Sequence, residues 1–214
     1  QNLAPMIRNN WIDITTPISP TTPVWPGDPV AELTPILRFS NGDGCNLSAL
    51  SAGLHTGTHL DAPLHFIPEG NDITMLDLNK MIGDVQVLDA TETGSISAEW
   101  IQQNIHPATR RILFKTLSIG ETPTGSGNFK ALDPAAAKLL VEKEVCFCGI
   151  DGLSIATDDT LEETHKILLN HQVIIAEHLN LTSITAGVYE MICLPIMIPG
   201  AEAAPARVIL RQKR

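Results

Sequence analysis

The sequence predicts a single α/β domain in which a mixed sheet packs against helices. Two observations lead to this prediction. The first third of the chain is rich in proline, glycine and threonine and reads as extended segments joined by turns, whereas the rest alternates helical and strand-like stretches. The length of 214 residues fits one large domain, and no repeat or low-complexity linker divides it. We expect residues 1–10 to be a flexible N-terminal segment and residues 11–214 to form the domain.

The individual elements follow from local signals. Pro26 and Gly27 have turn chemistry, and residues 46–53 form a plausible strand that leads into a histidine-rich loop. Short apolar runs predict strands at residues 83–90, 110–116, 145–151, 173–179, 189–196 and 206–212. Ser97 is a plausible cap for a helix over residues 97–105, and Asp133 followed by Pro134 predicts a helix over residues 132–144. Acidic residues in the first turn favour a third helix over residues 160–172.

Composition excludes several classes of partner. Lysine and arginine total 14 against 24 acidic residues, and the net charge of −10 disfavours binding to a phosphate backbone, so no nucleic-acid partner is expected. The longest apolar stretch, residues 191–199, is too short to span a bilayer, so no membrane association is expected. The four cysteines are dispersed without a CxxC pair, which suits a reducing, cytoplasmic compartment.

The stretch "LHTGTHLDAPLHF", residues 54–66, carries the strongest functional signal. Seven histidines in the chain predict roughly 0.4 in an eleven-residue window, yet His55, His59 and His65 fall within one such window, with Asp61 among them. Gly57, the neighbouring threonines and the proline at position 63 argue against a helix, so we expect a compact loop. Nitrogen and carboxylate donors without thiolate suit zinc or manganese, although histidines can also serve purely structural roles.

A second pair of donors lies more than a hundred residues downstream. His165 falls on the predicted helix 160–172, and Glu177 falls on the strand that follows it. The twelve-residue separation fits a helix that leads into a strand returning to one end of the sheet. Either residue, taken alone, could equally be structural or solvated.

The motif resembles a known signature. "HTGTHLDAPLHF" is similar to the H-x-G-T-H-x-D-x-P-x-H pattern of the cyclase-like metal-dependent hydrolases, a family that includes bacterial kynurenine formamidase and isatin hydrolase. The resemblance extends over nearly the whole chain, through "TPVWPGD", "GIDGLSI", "YEMICLPI" and "APARVIL". It implies a swivelling β/β/α fold and a homo-oligomer, a dimer or larger.

The resemblance also implies roles for individual residues. The metal ligands it implies, for one or two divalent ions (Zn²⁺ or Mn²⁺) per chain, are His55, His59, Asp61, His165 and Glu177. His65 matches the histidine that accepts a proton in catalysis. Trp25 matches a tryptophan that lines the substrate pocket, although an aromatic residue at this position could also belong to the core.

These roles imply a hydrolase that cleaves an amide or lactone bond of a small, aromatic or cyclic substrate with metal-activated water, like N-formylkynurenine formamidase. The stretches "GIDGLSIATDD", "GAEAAPARV" and "LFKT" depart from the formamidase pattern and leave the substrate open. An isatin-hydrolase-like activity on cyclic amides or lactones is one alternative. A non-catalytic metal-binding protein on the same scaffold is the other.

Overall fold

Seven strands of the chain close into a barrel, and two more extend its sheet. The computed structural model describes residues 7, 8, 10–124 and 129–213. Its strands are β1 Ile7–Arg8, β2 Trp11–Asp13, β3 Glu32–Leu37, β4 Leu47–Ser51, β5 His59–Asp61, β6 Ile82–Asp89, β7 Arg111–Lys115, β8 Phe147–Ile150, β9 Ile174–Glu177, β10 Gly187–Pro195 and β11 Ala203–Gln212. Its α-helices are α1 Leu78–Met81, α2 Ala98–Asn104, α3 Pro134–Glu142 and α4 Leu161–Asn170.

The order of the main sheet is β1-β2-β11-β10-β6-β7-β8-β9-β5, and a further pairing between β5 and β11 closes the ring. The pairs β6–β7, β7–β8 and β8–β9 are parallel, whereas the others are antiparallel. Strands β3 and β4 form a separate two-stranded ribbon. The prediction of one α/β domain with a mixed sheet is therefore confirmed.

Alternation along the strands separates two hydrophobic cores. On β7, Leu113 faces the barrel interior, while Ile112 and Phe114 face the helices. All seven barrel strands contribute buried side chains to the inner core, including Phe147 and Met191. The outer core lies between the parallel strands and the helices α2, α3 and α4.

The three predicted helices form, and two of them begin at the predicted caps. The Ser97 hydroxyl accepts a hydrogen bond from the Trp100 amide at 3.3 Å, and Asp133 accepts one from the Ala136 amide at 2.7 Å with Pro134 in the first turn. No helix in the described ranges is long and apolar enough to cross a membrane.

The structure describes only part of the predicted N-terminal segment, residues 1–10. Ile7–Arg8 pairs with the start of β2, while residues 1–6 and 9 lie outside the described residues. The domain boundary at residue 11 stays a prediction.

Candidate metal centre

Two of the predicted metal ligands, His59 and Asp61, lie on strand β5. His59 and Asp61 point to the outer face of the barrel because Leu60 between them lies in the inner core. The antiparallel register places His59 opposite Glu177 of β9, so both carboxylates and His59 share one face. The expected compact loop is therefore wrong for His59–Asp61, where pairing with β9 and β11 imposes a strand.

Three irregular or helical segments bring the other imidazoles to this face. His55 lies in the turn before β5, where Gly57 has a φ of +69°. His65 ends a single 3₁₀ turn, Pro63–His65. His165 lies in the second turn of α4 and is buried against the strands. As expected, no α-helix forms between residues 54 and 66.

The five predicted ligands converge. His55 Nδ1 lies 3.1 Å from His59 Nε2 and 3.2 Å from Asp61 Oδ1. His59 Nε2 lies 3.4 Å from Glu177 Oε2 and 3.5 Å from Asp61 Oδ1. His165 Nε2 lies 3.3 Å from Glu177 Oε1 and 3.6 Å from Asp61 Oδ2. The carboxylates of Asp61 and Glu177 therefore lie among the three imidazoles in one compact cluster.

The Asp61 carboxylate tests whether a cation fits here. The side chain is completely buried, and neither oxygen makes a hydrogen bond of acceptable geometry within the described part of the chain. A buried carboxylate without hydrogen bonds is strongly unfavourable unless a cation neutralises it. Hard carboxylate oxygens and imidazole nitrogens are donors suited to a divalent ion, so the residues fit the predicted cofactor.

Neighbouring carbonyl groups set the tautomers of two imidazoles. His59 Nδ1 lies 2.9 Å from the Gly57 carbonyl, and His165 Nδ1 lies 2.7 Å from the Leu161 carbonyl. Because a carbonyl can only accept, each Nδ1 carries a proton and each Nε2 faces the cluster. This arrangement is typical of metal-ligating histidines, whose other ring nitrogen donates to an outer partner.

Glu202, a residue that we did not predict, lies near the other ring nitrogen of His55. Its Oε1 lies 3.6 Å from His55 Nε2, while His55 Nδ1 faces the cluster. The sequence offered no signal, because Glu202 stands in an alanine-rich stretch near the start of β11, far from the histidine motif. It reaches His55 because β5 and β11 pair through Asp61 and Ala203.

Without a metal ion, the cluster favours protonated imidazoles paired with ionised carboxylates. Burial pulls the pKa values of His59 and His165 down, but the carboxylates of Asp61 and Glu177 outweigh burial and raise each pKa to about 10. Burial tends to raise the pKa of Asp61, yet its imidazole neighbours hold that pKa well below the usual range. A metal ion therefore competes with protons for this site.

His65 and His55 are half-buried, whereas His59 and His165 are fully buried. The His65 ring lies 4.3 Å from the His55 ring and 5.9 Å from the His165 ring, measured between centroids. Burial lowers its pKa from the ordinary value, so the ring is neutral near pH 7. Two groups of three side chains could each hold a metal ion, because the ligand atoms within each group lie within 4.8 Å of one another. One group is His55, Asp61 and His65, and the other is His59, Asp61 and Glu177.

Trp25 is not among the groups that meet at Asp61. It is half-buried, and its ring packs edge to face on Phe129 with centroids 6.2 Å apart. The Trp25 carbonyl accepts a hydrogen bond from the Asp28 amide at 3.0 Å, which closes the predicted turn at Pro26 and Gly27.

Comparison with known proteins places this site in a family. Residues 12–157 match the Cyclase family model, described as "Putative cyclase". The kynurenine formamidase of Salinibacter ruber is 36% identical over 205 residues, covering 94% of this chain and 96% of the relative. A solved structure titled a potential metal-dependent hydrolase with cyclase activity is 32% identical, with a TM-score of 0.83, covering 95% of this chain and 98% of that one.

An isatin hydrolase bound to the product analogue thioisatinate shares the fold, with a TM-score of 0.80 at 20% identity, covering 95% of this chain and 92% of that one. The match to the family model spans more than half of the chain, and the relatives align along nearly all of it. The chain therefore belongs to the cyclase family of metal-dependent hydrolases.

Proposed function

We propose that the chain hydrolyses the formamide bond of a small aromatic substrate, with N-formylkynurenine as the first candidate, by means of a bound Zn²⁺ or Mn²⁺. The observation that supports this most directly is the buried Asp61 carboxylate, ringed by three imidazoles and lacking hydrogen bonds among the described residues. The similarity to kynurenine formamidases over nearly the whole chain favours the formamide as substrate.

In this proposal His55, His59, Asp61, His165 and Glu177 hold one or two ions. A divalent ion bound by such donors lowers the pKa of a coordinated water to about 7 and polarises a carbonyl group. The chain itself holds these donors rigidly, because His59 and Asp61 lie on β5 and Glu177 lies opposite His59 on β9. Glu177 is further held by a hydrogen bond of 2.6 Å from the Ile155 amide to Oε1.

His65 is the proposed proton acceptor. Hydrolysis adds water across the C–N bond, so one proton leaves the attacking water and one reaches the departing amine. A neutral imidazole beside the ligand set accepts the first proton and returns it to the nitrogen. His65 is suited to this because burial keeps it neutral and its side chain remains partly accessible.

Trp25 is the proposed wall of the substrate pocket. Its edge-to-face contact with Phe129 holds the indole in a fixed orientation and leaves it half-exposed. A half-exposed indole offers a face on which an aromatic substrate stacks, a contact worth about 0.5–1.5 kcal/mol beyond buried area.

The experiment is an assay of the chain reconstituted with zinc or with manganese against N-formylkynurenine, isatin and a panel of lactones. We expect the wild type to release formate from N-formylkynurenine. His65→Ala should retain its metal but turn over at least 100-fold more slowly. The control His106→Ala, which changes an exposed histidine, should turn over at the wild-type rate. Preference for isatin or a lactone would assign the cyclic-substrate alternative. Stoichiometric metal without turnover of any substrate would contradict the proposal.

The predicted cytoplasmic location stays a prediction, as does the predicted homo-oligomer. Dispersed free cysteines accord with a reducing compartment, since all four thiols are unpaired in the structure.

A further inference from the structure

The buried hydroxyl of Thr58, the residue before His59, has backbone partners on two distant segments. Thr58 is only 1% exposed. Its Oγ1 accepts a hydrogen bond from the Thr16 amide at 2.8 Å and donates one to the His178 carbonyl at 2.6 Å. Because Thr16 follows β2 and His178 follows β9, one hydroxyl joins three segments that are far apart in sequence. A buried amide or carbonyl that loses such a partner is strongly unfavourable, so this hydroxyl is hard to replace.

The main chain of Thr58 is tied to neighbouring segments as well. The Thr58 amide donates to the Thr16 carbonyl at 3.1 Å, and the Thr58 carbonyl accepts from the Ala206 amide of β11 at 2.9 Å. Thr16 therefore binds Thr58 twice, through its amide and through its carbonyl. Every polar group of Thr58 thus has a partner, and these bonds hold the residue in one position.

The peptide group between Gly57 and Thr58 connects this junction to His59. The Gly57 carbonyl and the Thr58 amide belong to one planar unit, so the bonds between Thr58 and Thr16 also set the direction of that carbonyl. The Gly57 carbonyl accepts from His59 Nδ1 at 2.9 Å. An outer partner of this kind fixes the ring orientation of a metal-ligating histidine. Thr58 therefore acts on the direction in which His59 Nε2 points.

The bond to His178 connects the same hydroxyl to Glu177. The pair His59–Glu177 is the last in the ladder between β5 and β9, and Thr58 and His178 are the next residues along the two strands. His178 does not continue the ladder, because its φ is +56°, in the left-handed region that favours glycine. A histidine stays in this region only where its surroundings hold it. The Thr58 hydroxyl supplies part of that restraint, directly after Glu177.

A cavity lies beside both partners of the hydroxyl. Thr16 and His178 line a space of about 390 Å³, together with residues 117–123 and 179–183. Atoms that border a void lack packing contacts on that side, so hydrogen bonds carry more of the positioning there. Removal of the hydroxyl therefore leaves the end of the β5–β9 ladder less firmly held.

We propose that Thr58 is a positioning residue of the metal centre: its hydroxyl holds His59 and Glu177 in place by joining the segments that carry them. The inference rests on the proposed function, since it takes both residues as ligands. Their facing atoms, His59 Nε2 and Glu177 Oε2, lie 3.4 Å apart at the end of the ladder, where strand pairs open most readily. A site whose supporting residues are removed binds its ion less tightly, because its ligands are no longer preorganised.

Competition for Zn²⁺ against a chelator tests the proposal without an enzyme assay. Thr58→Val keeps the shape of the side chain and removes the hydroxyl, and we expect it to bind Zn²⁺ at least about 10-fold more weakly than the wild type. Thr58→Ser keeps the hydroxyl and should restore nearly wild-type affinity. In Co²⁺-loaded protein, the visible absorption spectrum should change in Thr58→Val and stay unchanged in Thr58→Ser.

Thr22→Val is the matched control. Thr22 Oγ1 also accepts from an amide, that of Ser19 at 3.0 Å, and donates to a carbonyl, that of Pro17 at 2.7 Å. Thr22 is 7% exposed and lines the same cavity, but it does not adjoin a proposed ligand. We expect Thr22→Val to lower the urea midpoint of the metal-free chain, as Thr58→Val does, and to bind Zn²⁺ like the wild type.

Wild-type affinity in Thr58→Val would overturn the proposal, as would equal weakening in Thr22→Val. Weak binding by Thr58→Ser would also overturn it, because the methyl group rather than the hydroxyl would then matter. A wild type that binds no Zn²⁺ would contradict the proposed function itself, and the inference with it. If Thr58→Val loses its circular dichroism, Thr58→Cys decides the question by the same outcomes, since a thiol is a weak hydrogen-bond donor.

Discussion

Gly57→Ala should disturb the metal centre through the backbone, although residue 57 contributes no ligand. Gly57 has a φ of +69°, and an alanine Cβ at this position would lie 2.9 Å from the Thr16 carbonyl oxygen and 3.2 Å from that of Pro17. The Thr16 carbonyl also accepts the Thr58 amide at 3.1 Å, which ties the turn to the preceding segment. The backbone oxygens of this neighbouring segment leave the new methyl group no room.

The magnitude follows from two terms. A left-handed conformation costs a non-glycine residue about 1–2 kcal/mol, and overpacking against rigid neighbours costs about 1–3 kcal/mol more. We therefore expect Gly57→Ala to lower the free energy of unfolding by about 2–5 kcal/mol. Gly120→Ala is the matched control, because Gly120 has a φ of +90° and nothing within 4 Å of a new Cβ. It should cost about 1 kcal/mol.

Urea denaturation of the metal-free chains separates the two variants. With a slope of about 2 kcal/mol/M, the midpoint should fall by about 1–2.5 M for Gly57→Ala and by about 0.5 M for Gly120→Ala. Because the Gly57 carbonyl orients His59, metal affinity measured against a competing chelator should also fall about 10–100-fold in Gly57→Ala alone. Equal midpoints for both variants would refute the reasoning from close backbone approach.

Three further predictions concern the ligands and their partners. His59→Ala should deplete the bound metal, measured by elemental analysis after desalting, whereas the exposed His106→Ala should retain it; full retention in His59→Ala would remove His59 from the ligand set. Glu202→Gln should weaken metal binding about 10-fold in a chelator competition without changing the unfolding midpoint of the metal-free chain, and equal affinity would show that Glu202 does not orient His55. Raised folded-state pKa values of about 10 for His59 and His165 mean that both imidazoles are protonated at neutral pH without metal and lose those protons on binding it. Apparent affinity should therefore fall as the pH falls from 8 to 6, by up to about 100-fold per pH unit, and a flat profile in calorimetry would contradict this coupling.

Much of the fold could be predicted because its signals are local. Caps at Ser97 and Asp133 and the apolar runs of the later strands need only neighbouring residues to be recognised. The ribbon strand β3 was harder to predict, since Pro35 lies inside it and a proline is unfavourable in most strands. The short helix α1 had no prediction because four residues give too little periodicity.

The candidate site was likewise only partly predictable from the sequence. The spacing of His55, His59 and Asp61 was visible in thirteen residues, yet it did not show that His59 and Asp61 lie on a strand. Strand alternation places those two side chains on one face, and pairing with β9 supplies the strand. His59→Ala tests the predicted role of a metal ligand, and His65→Ala tests that of the proton acceptor.

The sequence by itself determined the kinds of donor, the positions of the helices and the similarity to a hydrolase family. The tertiary structure decided which face the donors share, because the register of His59 opposite Glu177 depends on strands more than a hundred residues apart. It also decided that Glu202 lies near His55 and that nearly every residue of β3 and β4 is exposed. Local propensities depend on neighbouring residues, whereas strand register and side-chain exposure are set only when distant segments pack together.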